Sequence, residues 1–269
     1  MLDDKYEQIT ITEPARRIIA LAPHLAELTY AAGAGKWLIA AVRGADYPPD
    51  VLALPSVGDA AGVDFERIRQ LEPDLILAWG GGNKPADLDR LASGSAPVFV
   101  MEPRELNDIS RHLRMIGRLT ATQAVAEHTA ARIEGELQQL RERYTNVSTI
   151  DVVVEIWHQP LFTVGEAHML SDALRVCGAR NALPDYPLLV GPVPLEDVLA
   201  ASGDVILSVT GMMAAEVQSR WSAYQSLSGH RGRQVISVDP NLLTRPGPRM
   251  LEGIEMLCGQ LDQVRANGG

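Results

Sequence analysis

The sequence has few cysteines, few aromatic residues and no long apolar run. Its 269 residues include 2 cysteines and 6 histidines without a CxxC motif, which argues against a structural zinc site. No stretch of about 18 apolar residues is present, so we expect no transmembrane helix. The first residues lack the basic region and apolar core of a signal peptide, which leaves either a cytoplasmic protein or one whose export signal has been removed.

The charged residues exclude two further classes of protein. Lys and Arg number 24 against 34 Asp and Glu, for a net charge of -10, and no basic run occurs, so we expect no nucleic-acid partner. Hydrophobic residues make up 46% and charged residues 22%, which excludes wholesale disorder. A chain of this length is near the size at which one core splits into two.

The order of apolar segments predicts an α/β fold with two lobes. Short apolar strands alternate with helices, a pattern typical of parallel sheets. Between Leu106 and Tyr144 the strand signals stop. Leu137, Leu140 and Tyr144 recur at helical spacing, which predicts a long helix over Ala121–Tyr144 that links the lobes. The predicted segments are an N-terminal arm at 1–15, an αβ lobe at 16–119, the linking helix at 120–146 and a second αβ lobe at 147–269.

Local signals define several elements and an internal repeat. They predict a helix at Phe65–Leu71 capped by Asp64, a helix at Met169–Val176, and a hairpin that joins Asp151–Trp157 to Leu161–Val164. Three pairs of segments recur in the same order in both halves, which favours a duplicated topology over coincidence. The pairs are 65–68 with 195–198, 74–77 with 204–207, and 98–103 with 235–240.

Ligands of parallel α/β sheets bind beyond the carboxyl ends of the strands, so the loops after strands are the candidate binding positions. Several of the few aromatic residues fall in or beside these loops, which suits a large planar ligand, although they could equally pack the loops onto the core. His24 could face a ligand or metal, or bond locally. The candidate loops contain Pro23 and His24, Asp46 and Tyr47, Trp79 to Asn83, Trp157 to Phe162, and Asp239 to Arg245.

Patterns typical of enzymes are missing. The Gly80–Asn83 run has neither the Walker ending nor dinucleotide spacing, so we interpret it as a turn or a close approach to a ligand or partner. No nucleophile–base pair or GxSxG motif occurs, and the histidines have no metal-ligand spacing. We therefore expect no catalytic residue, no catalytic cofactor and no metal site.

Two pairs of residues remain open on the sequence alone. Glu66 and Glu196 match in the repeat, each near the start of a helix, where they either complement the helix dipole or dock basic pockets of a pseudo-symmetric partner. Cys177 and Cys258 are either two separate buried thiols or one disulfide that closes a long loop.

Several short motifs carry a family resemblance. They are Arg17 to Pro23, Asp46-Tyr47-Pro48-Pro49, Glu66-Arg67-Ile68, Ala78-Trp79, Gly81-Gly82-Asn83, Pro160 with Phe162-Thr163, Val176-Cys177-Gly178 and Pro248-Arg249. From about Arg16 to Leu261 the sequence resembles the cobalamin-binding proteins of bacterial ABC importers. Many of these motifs belong to the wider group that binds siderophores, haem and cobalamin, whereas the DYPP and AW-x-GGN elements with both cysteines point to the cobalamin branch.

The resemblance implies a periplasmic, non-catalytic carrier with two Rossmann-like αβ lobes, one linking helix and a ligand cleft between the lobes. It implies that Cys177 and Cys258 form a disulfide, and that Glu66 and Glu196 dock arginines of an ABC permease dimer that carries ATPase subunits. We expect a monomer that binds cobalamin or a related corrinoid. The candidate ligand-binding residues are Pro23, His24, Tyr47, Trp79, Gly81, Asn83, Phe162 and Arg245.

Three positions depart from the resemblance. Ala60 replaces an aromatic residue, 189–193 lacks a tryptophan, and Asn241-Leu242 replaces an Asp-Trp pair. Haem or a ferric siderophore therefore stays open as the ligand, and so does the different class of a cytoplasmic two-lobed α/β enzyme.

Overall fold

The computed structural model describes residues 1–59, 61–203, 205–224 and 233–267. Contacts divide these residues into two compact units. Unit 1 comprises Met1–Pro103 and Asn107–Glu134, and unit 2 comprises Arg104–Leu106 and the described part of Gly135–Gly269. Each unit contains a parallel sheet and helices, so the predicted α/β class is confirmed.

Unit 1 is built on a four-stranded parallel sheet with the order β2-β1-β5-β6. Its two central strands are apolar and almost entirely buried, as expected of a parallel sheet whose two faces are covered. A short antiparallel hairpin, β3-β4, is the second sheet. The strands are β1 Ile18–Ala20, β2 Leu38–Ala41, β3 Gly58–Asp59, β4 Gly62–Val63, β5 Leu75–Trp79 and β6 Val98–Met101. Ala60, one of the positions that depart from the family resemblance, lies outside the described residues.

The helices of unit 1 begin and end at recognisable sequence signals. The predicted cap of α2 is confirmed, because the Asp64 carboxylate accepts the Arg67 backbone N–H at 2.9 Å. The chain leaves α1 at Gly33, whose φ of 81° suits glycine. The helices are α1 Pro23–Ala31, α2 Phe65–Gln70, α3 Pro85–Ala92, α4 Asn107–Thr120 and α5 Gln123–Arg143, with 3-10 turns at Gly35–Trp37 and Pro49–Ala53.

Within the range where one linking helix is predicted, α5 runs from unit 1 into unit 2. It is preceded by α4, a strongly amphipathic helix that was not predicted as a separate element from the sequence. The helical conformation is interrupted between the two helices at Ala121, whose φ is 56°. Neither α5 nor any other helix among the described residues is long and apolar enough to cross a membrane.

The first residues of the chain are tied to unit 1 through the Asp4 carboxylate. It accepts hydrogen bonds from the Glu102 backbone N–H at 2.6 Å and from the Arg111 guanidinium, and it bonds the buried His112 ring at 2.7 Å. Burial opposes ionisation of this carboxyl, but the bonds to His112 and Arg111 outweigh it and hold the pKa of Asp4 well below its usual range.

Unit 2 repeats the parallel sheet and adds an antiparallel one. The parallel order is β10-β7-β12-β13, and a second sheet has the order β11-β9-β8. The strands are β7 Ile150–Glu155, β8 Trp157–His158, β9 Leu161–Val164, β10 Ala179–Asn181, β11 Val190–Pro192, β12 Val205–Ser208 and β13 Gln234–Ser237. The described helices are α6 Met169–Val176, α7 Leu195–Ala200, α8 Ala214–Ser222, α9 Pro240–Leu243 and α10 Met250–Asn267.

The duplicated topology predicted from the repeat is confirmed. When the strands of each parallel sheet are counted in chain order, they lie side by side in the order second, first, third and fourth. The repeated segments occupy α2 and β5 in unit 1 and α7 and β12 in unit 2, and the later pair occupies β6 and β13. Asp204, the first residue of one repeated segment, lies outside the described residues.

The two cysteines form one disulfide. Cys177 at the end of α6 bonds Cys258 in α10 across a separation of 81 residues. Both cysteines are buried in unit 2. The pairing that the family resemblance implied is therefore present.

Candidate functional site

The candidate residues of unit 1 gather at the carboxyl ends of β1 and β5. Pro23 and His24 begin α1 directly after β1, and Trp79 is the last residue of β5. His24 is only 2% exposed, and its ring meets the Trp79 ring edge-on with centroids 5.1 Å apart. The bulk of His24 therefore supports the indole from inside the unit.

Asn83 clamps the two strand ends together. Its Oδ1 accepts the Trp79 backbone N–H at 2.7 Å, and its Nδ2 donates to the Leu21 carbonyl at 2.9 Å. One side chain thus satisfies backbone groups just beyond β1 and at the end of β5. Asn83 positions the Trp79 backbone at this edge of the sheet.

The three glycines between Trp79 and Asn83 make room for neighbouring side chains. A Cβ atom on Gly82 would lie 2.0 Å from Cε3 of Trp79, so the indole lies flat against the backbone there. A Cβ on Gly81 would lie 2.9 Å from the Glu102 carboxylate. Of the interpretations open on the sequence, the structure supports a turn crowded by this chain's own side chains.

Two aromatic groups of unit 1 differ in how much they are buried. Tyr47, in the loop after β2, is 44% exposed, so a large part of its side chain is accessible. Trp79 is half-buried, and among the described residues its indole Nε1–H has no hydrogen-bond partner. Both rings lie at the carboxyl edge where ligands of parallel sheets bind.

In unit 2 the candidate Phe162 lies in the antiparallel sheet that comes after β7. Its register partners are Trp157 on β8 and Pro192 on β11, so the three side chains share one face. Trp157 is 52% exposed, and its Nε1 donates to the Gln159 carbonyl at 3.1 Å. Trp157 lies in a predicted candidate loop but is not among the predicted ligand-binding residues; its position opposite Phe162 in the predicted hairpin is the signal that could identify it.

An exposed apolar run lies on the approach to β11. Leu188, Leu189 and Val190 are all exposed, at the segment that lacks the expected tryptophan. Trp157, on β8 of the same sheet, is likewise exposed. No motif in the sequence distinguished these three residues from a core segment.

Arg245 follows α9 and is half-buried in unit 2. The helix before it is capped by Asp239, whose carboxylate accepts the Asn241 backbone N–H at 2.8 Å. Leu242, one of the residues that depart from the family pattern, is buried. Position 242 therefore contributes to packing within unit 2.

A buried carboxylate, that of Glu155, lies at the end of β7 and was not predicted from the sequence. Glu155 is fully buried, accepts the Trp221 indole N–H at 2.8 Å and pairs with the Arg220 guanidinium. Both partners lie on α8, a helix that was not predicted from the sequence either. The separation of about 65 positions between the partners leaves no local sequence signal for this pair.

The two candidate docking glutamates are exposed on matching helices. Glu66 lies in the first turn of α2 and Glu196 in the first turn of α7. Hydrogen bonds from Arg69 hold the pKa of Glu66 below its usual value. Glu66 also lines a groove of about 720 Å³ in unit 1, with Phe65, Arg69, Arg90 and Leu91 among its other walls.

Among the described residues, no group of three or more His, Cys, Asp or Glu side chains is placed to hold a metal ion. The site residues thus divide into an aromatic set in each unit and one acidic residue on each matching helix. This arrangement offers flat apolar area and a few polar groups, with no nucleophile beside a base.

Comparisons with known proteins find relatives that match nearly the whole chain. A vitamin B12-binding protein of Pectobacterium carotovorum subsp. carotovorum is 34% identical, over 91% of this chain and 88% of the relative. The crystal structure of the periplasmic vitamin B12-binding protein of Vibrio cholerae matches with a TM-score of 0.85 and 31% identity, over 94% of this chain and 98% of that one.

A periplasmic heme-binding protein of Roseiflexus sp. RS-1 matches with a TM-score of 0.78 at 21% identity, over 91% of this chain and 97% of that one, which establishes the shared fold alone. The sequence profile of the family described as "Periplasmic binding protein" matches residues 18–242. This chain therefore belongs to the periplasmic binding protein family.

Proposed function

We propose that this chain binds cobalamin or a closely related corrinoid in the periplasm and delivers it to an ABC importer. The observation that carries the proposal is the similarity over nearly the whole chain to proteins named as vitamin B12-binding, with 31–34% identity. The disulfide of unit 2 suits an oxidising compartment. The family is one of binding proteins, which agrees with a carrier that performs no catalysis.

The aromatic sets suggest how each unit would hold the ligand. In unit 1, Tyr47 and Trp79 offer ring faces to the flat corrin macrocycle, and Asn83 and Gly82 hold Trp79 in place. In unit 2, Phe162 offers a ring face, while Arg245 supplies donors for the amide oxygens on the corrin rim.

Spectroscopic titration with calorimetry tests the ligand. We expect saturable binding of cyanocobalamin, weaker or equal binding of cobinamide, and no comparable binding of haem or a ferric siderophore. Binding of haem or a siderophore without cyanocobalamin would overturn the assignment. Trp79→Ala and Phe162→Ala should each weaken binding by about fivefold or more, since a lost ring contact of this kind costs on the order of 1 kcal/mol or more.

Trp37→Phe is the matched control for these variants. Trp37 ends the 3-10 turn just before β2, at the amino end of the sheet, and its ring is covered by Arg16. Because ligands bind at the opposite edge, this substitution should leave the cyanocobalamin affinity unchanged. An equal loss in Trp37→Phe would show that the effect of Trp79→Ala is structural.

We further propose that Glu66 and Glu196 dock basic side chains of the importer's permease dimer, which carries two ATPase subunits. Their matching positions on α2 and α7 fit a pseudo-symmetric partner, and both carboxylates are exposed. Glu66→Lys and Glu196→Lys should weaken association with the importer while cyanocobalamin binding persists. Unchanged association in both variants would remove the docking role.

A further inference from the structure

The two docking glutamates differ in their intramolecular partners. The Arg69 guanidinium Nη2 lies 2.8 Å from one Glu66 carboxylate oxygen and 2.9 Å from the other. The pair lies one helical turn apart on α2, and both side chains are exposed. The Arg69 guanidinium therefore already binds the Glu66 carboxylate, which is proposed to receive a guanidinium of the partner.

Glu196 has a different neighbourhood on α7. The position one turn further along is Leu199, and the residue directly after Glu196 is Asp197. Within the part of the chain that the structure describes, Glu196 forms no ion pair. Among the described residues, the repeat thus presents an ion-paired carboxylate in unit 1 and one without an ion pair in unit 2.

We propose that Arg69 is a built-in competitor for the docking carboxylate: it holds Glu66 in the free protein and must be displaced by a guanidinium of the permease. The inference rests on the docking role in the proposed function. A carboxylate accepts a guanidinium best when both oxygens are engaged, so Arg69 and a partner arginine compete for the same acceptors. An exposed pair of this kind is weak, which makes the displacement feasible.

The surroundings of Arg69 allow that displacement. Arg69 and Glu66 both line the groove of about 720 Å³, so the guanidinium has open space beside its present position. Its long side chain can move there without disturbing the backbone of α2, whose start is held by the Asp64 cap. Docking at α2 is therefore selective for a partner that outcompetes Arg69, whereas docking at α7 is open to any well-placed cation.

The test measures association of the cobalamin-loaded protein with its importer, the permease dimer plus ATPase subunits in lipid nanodiscs, at low ionic strength. Arg69→Gln should tighten association by about two- to fivefold, the range of an exposed ion pair. Arg69→Lys, which keeps the charge but loses the planar fork, should give a smaller gain. In a protein that already carries Glu66→Gln, adding Arg69→Gln should leave the association with the importer unchanged.

The matched control is Arg67→Gln. It lies on the same helix, changes the net charge equally, and its side chain makes no ion pair with Glu66 among the described residues. No gain in Arg69→Gln, or an equal gain in Arg67→Gln, would overturn the competitor role. Failure of the docking proposal itself looks different, because Glu66→Lys and Glu196→Lys would then both associate like the unmodified protein.

Discussion

Units 1 and 2 share a sheet topology but differ in the element that comes after the first strand. In unit 1, β1 leads directly into α1, and the candidate residues around Trp79 are packed by His24, Gly82 and Asn83. In unit 2, β7 leads into an antiparallel sheet whose face exposes Trp157. The same parallel scaffold therefore supports a pre-packed aromatic group in one unit and an exposed aromatic surface in the other.

The units also differ in how they are held together. Unit 2 contains the disulfide and the buried Glu155–Arg220 pair. In unit 1 the corresponding long-range links are the Asp4 carboxylate and the exposed ion pairs of Arg114. A duplicated topology therefore does not duplicate the interactions that stabilise it, because side chains diverge while strand order persists.

The largest expected difference comes from removing the disulfide. Cys177→Ala with Cys258→Ala should lower the free energy of unfolding of unit 2 by about 4.5 kcal/mol, since the crosslink closes a loop of 81 residues. Urea unfolding followed by hydrogen exchange would measure the loss and locate it. An equal loss of hydrogen-exchange protection in the sheets of both units would contradict the proposed difference between the units.

The next effect comes from the buried ion pair. Arg220→Met should destabilise the protein by about 3 kcal/mol, because it leaves the fully buried Glu155 carboxylate without its cation. The control in unit 1 is Arg114→Met, which breaks exposed pairs with Glu127 and Glu134 and should cost less than about 1 kcal/mol. Thermal and urea unfolding measure both, and similar losses would contradict the contrast between the units.

A pH effect is expected from unit 2. Burial lowers the pKa of His168 to about 4, and this ring caps α6 by accepting the Leu170 backbone N–H at 3.0 Å. The unfolded chain binds the proton more readily, so stability is full above the ordinary pKa of 6.5 and falls as the pH drops towards 4. Between pH 7 and pH 5 the loss should be about 2 kcal/mol.

His168→Asn is the matched variant for that effect. Asparagine keeps an acceptor at the cap but does not titrate, so unfolding free energies measured at both pH values should converge. An unchanged slope of stability against pH in His168→Asn would assign the effect to other groups.

The smallest effects distinguish the packed aromatic group from the exposed one. Gly82→Ala should cost about 1–2 kcal/mol of stability and also weaken cyanocobalamin binding, because the new Cβ displaces the Trp79 ring. Trp157→Ala should weaken binding by up to about tenfold yet change stability by less than about 0.5 kcal/mol, because its ring is half exposed. Calorimetry and urea unfolding on both variants measure the contrast.

Gly135→Ala is the control for a glycine substitution. Gly135 lies within α5 with open space at its Cβ position, so alanine should stabilise the helix by about 0.5–1 kcal/mol. A destabilised Gly135→Ala would show that the loss in Gly82→Ala does not come from the Trp79 contact.

Elements with strong local signals could be predicted, and short ones that depend on pairing could not. The Asp64 cap, the helix Met169–Val176 and the hairpin at Leu161–Val164 follow from capping, apolar periodicity and turn residues. The strand Val190–Pro192 contains glycine and proline, and it forms because β9 offers a partner. The helix Ala214–Ser222 forms for a similar reason, since Val217 and Trp221 pack into the core of unit 2.

The candidate site was predictable in its positions but not in its contacts. The rule that ligands bind beyond strand ends placed Trp79 and Asn83 correctly at the carboxyl edge. It could not show that Asn83 bonds the Leu21 carbonyl, or that Trp157 stays exposed opposite Phe162. Such contacts join residues whose distance apart in space is unrelated to their order in the chain.

The alternation of strands and helices, the repeat and the acidic excess all follow from the amino-acid pattern, because apolar periodicity and local capping act over a few residues at a time. Which polar groups meet is a property of tertiary packing alone. Glu155 finds Arg220, and Asp4 finds His112, only after the sheets and helices have formed. Those long-range pairs, and not the shared topology, distinguish the two units.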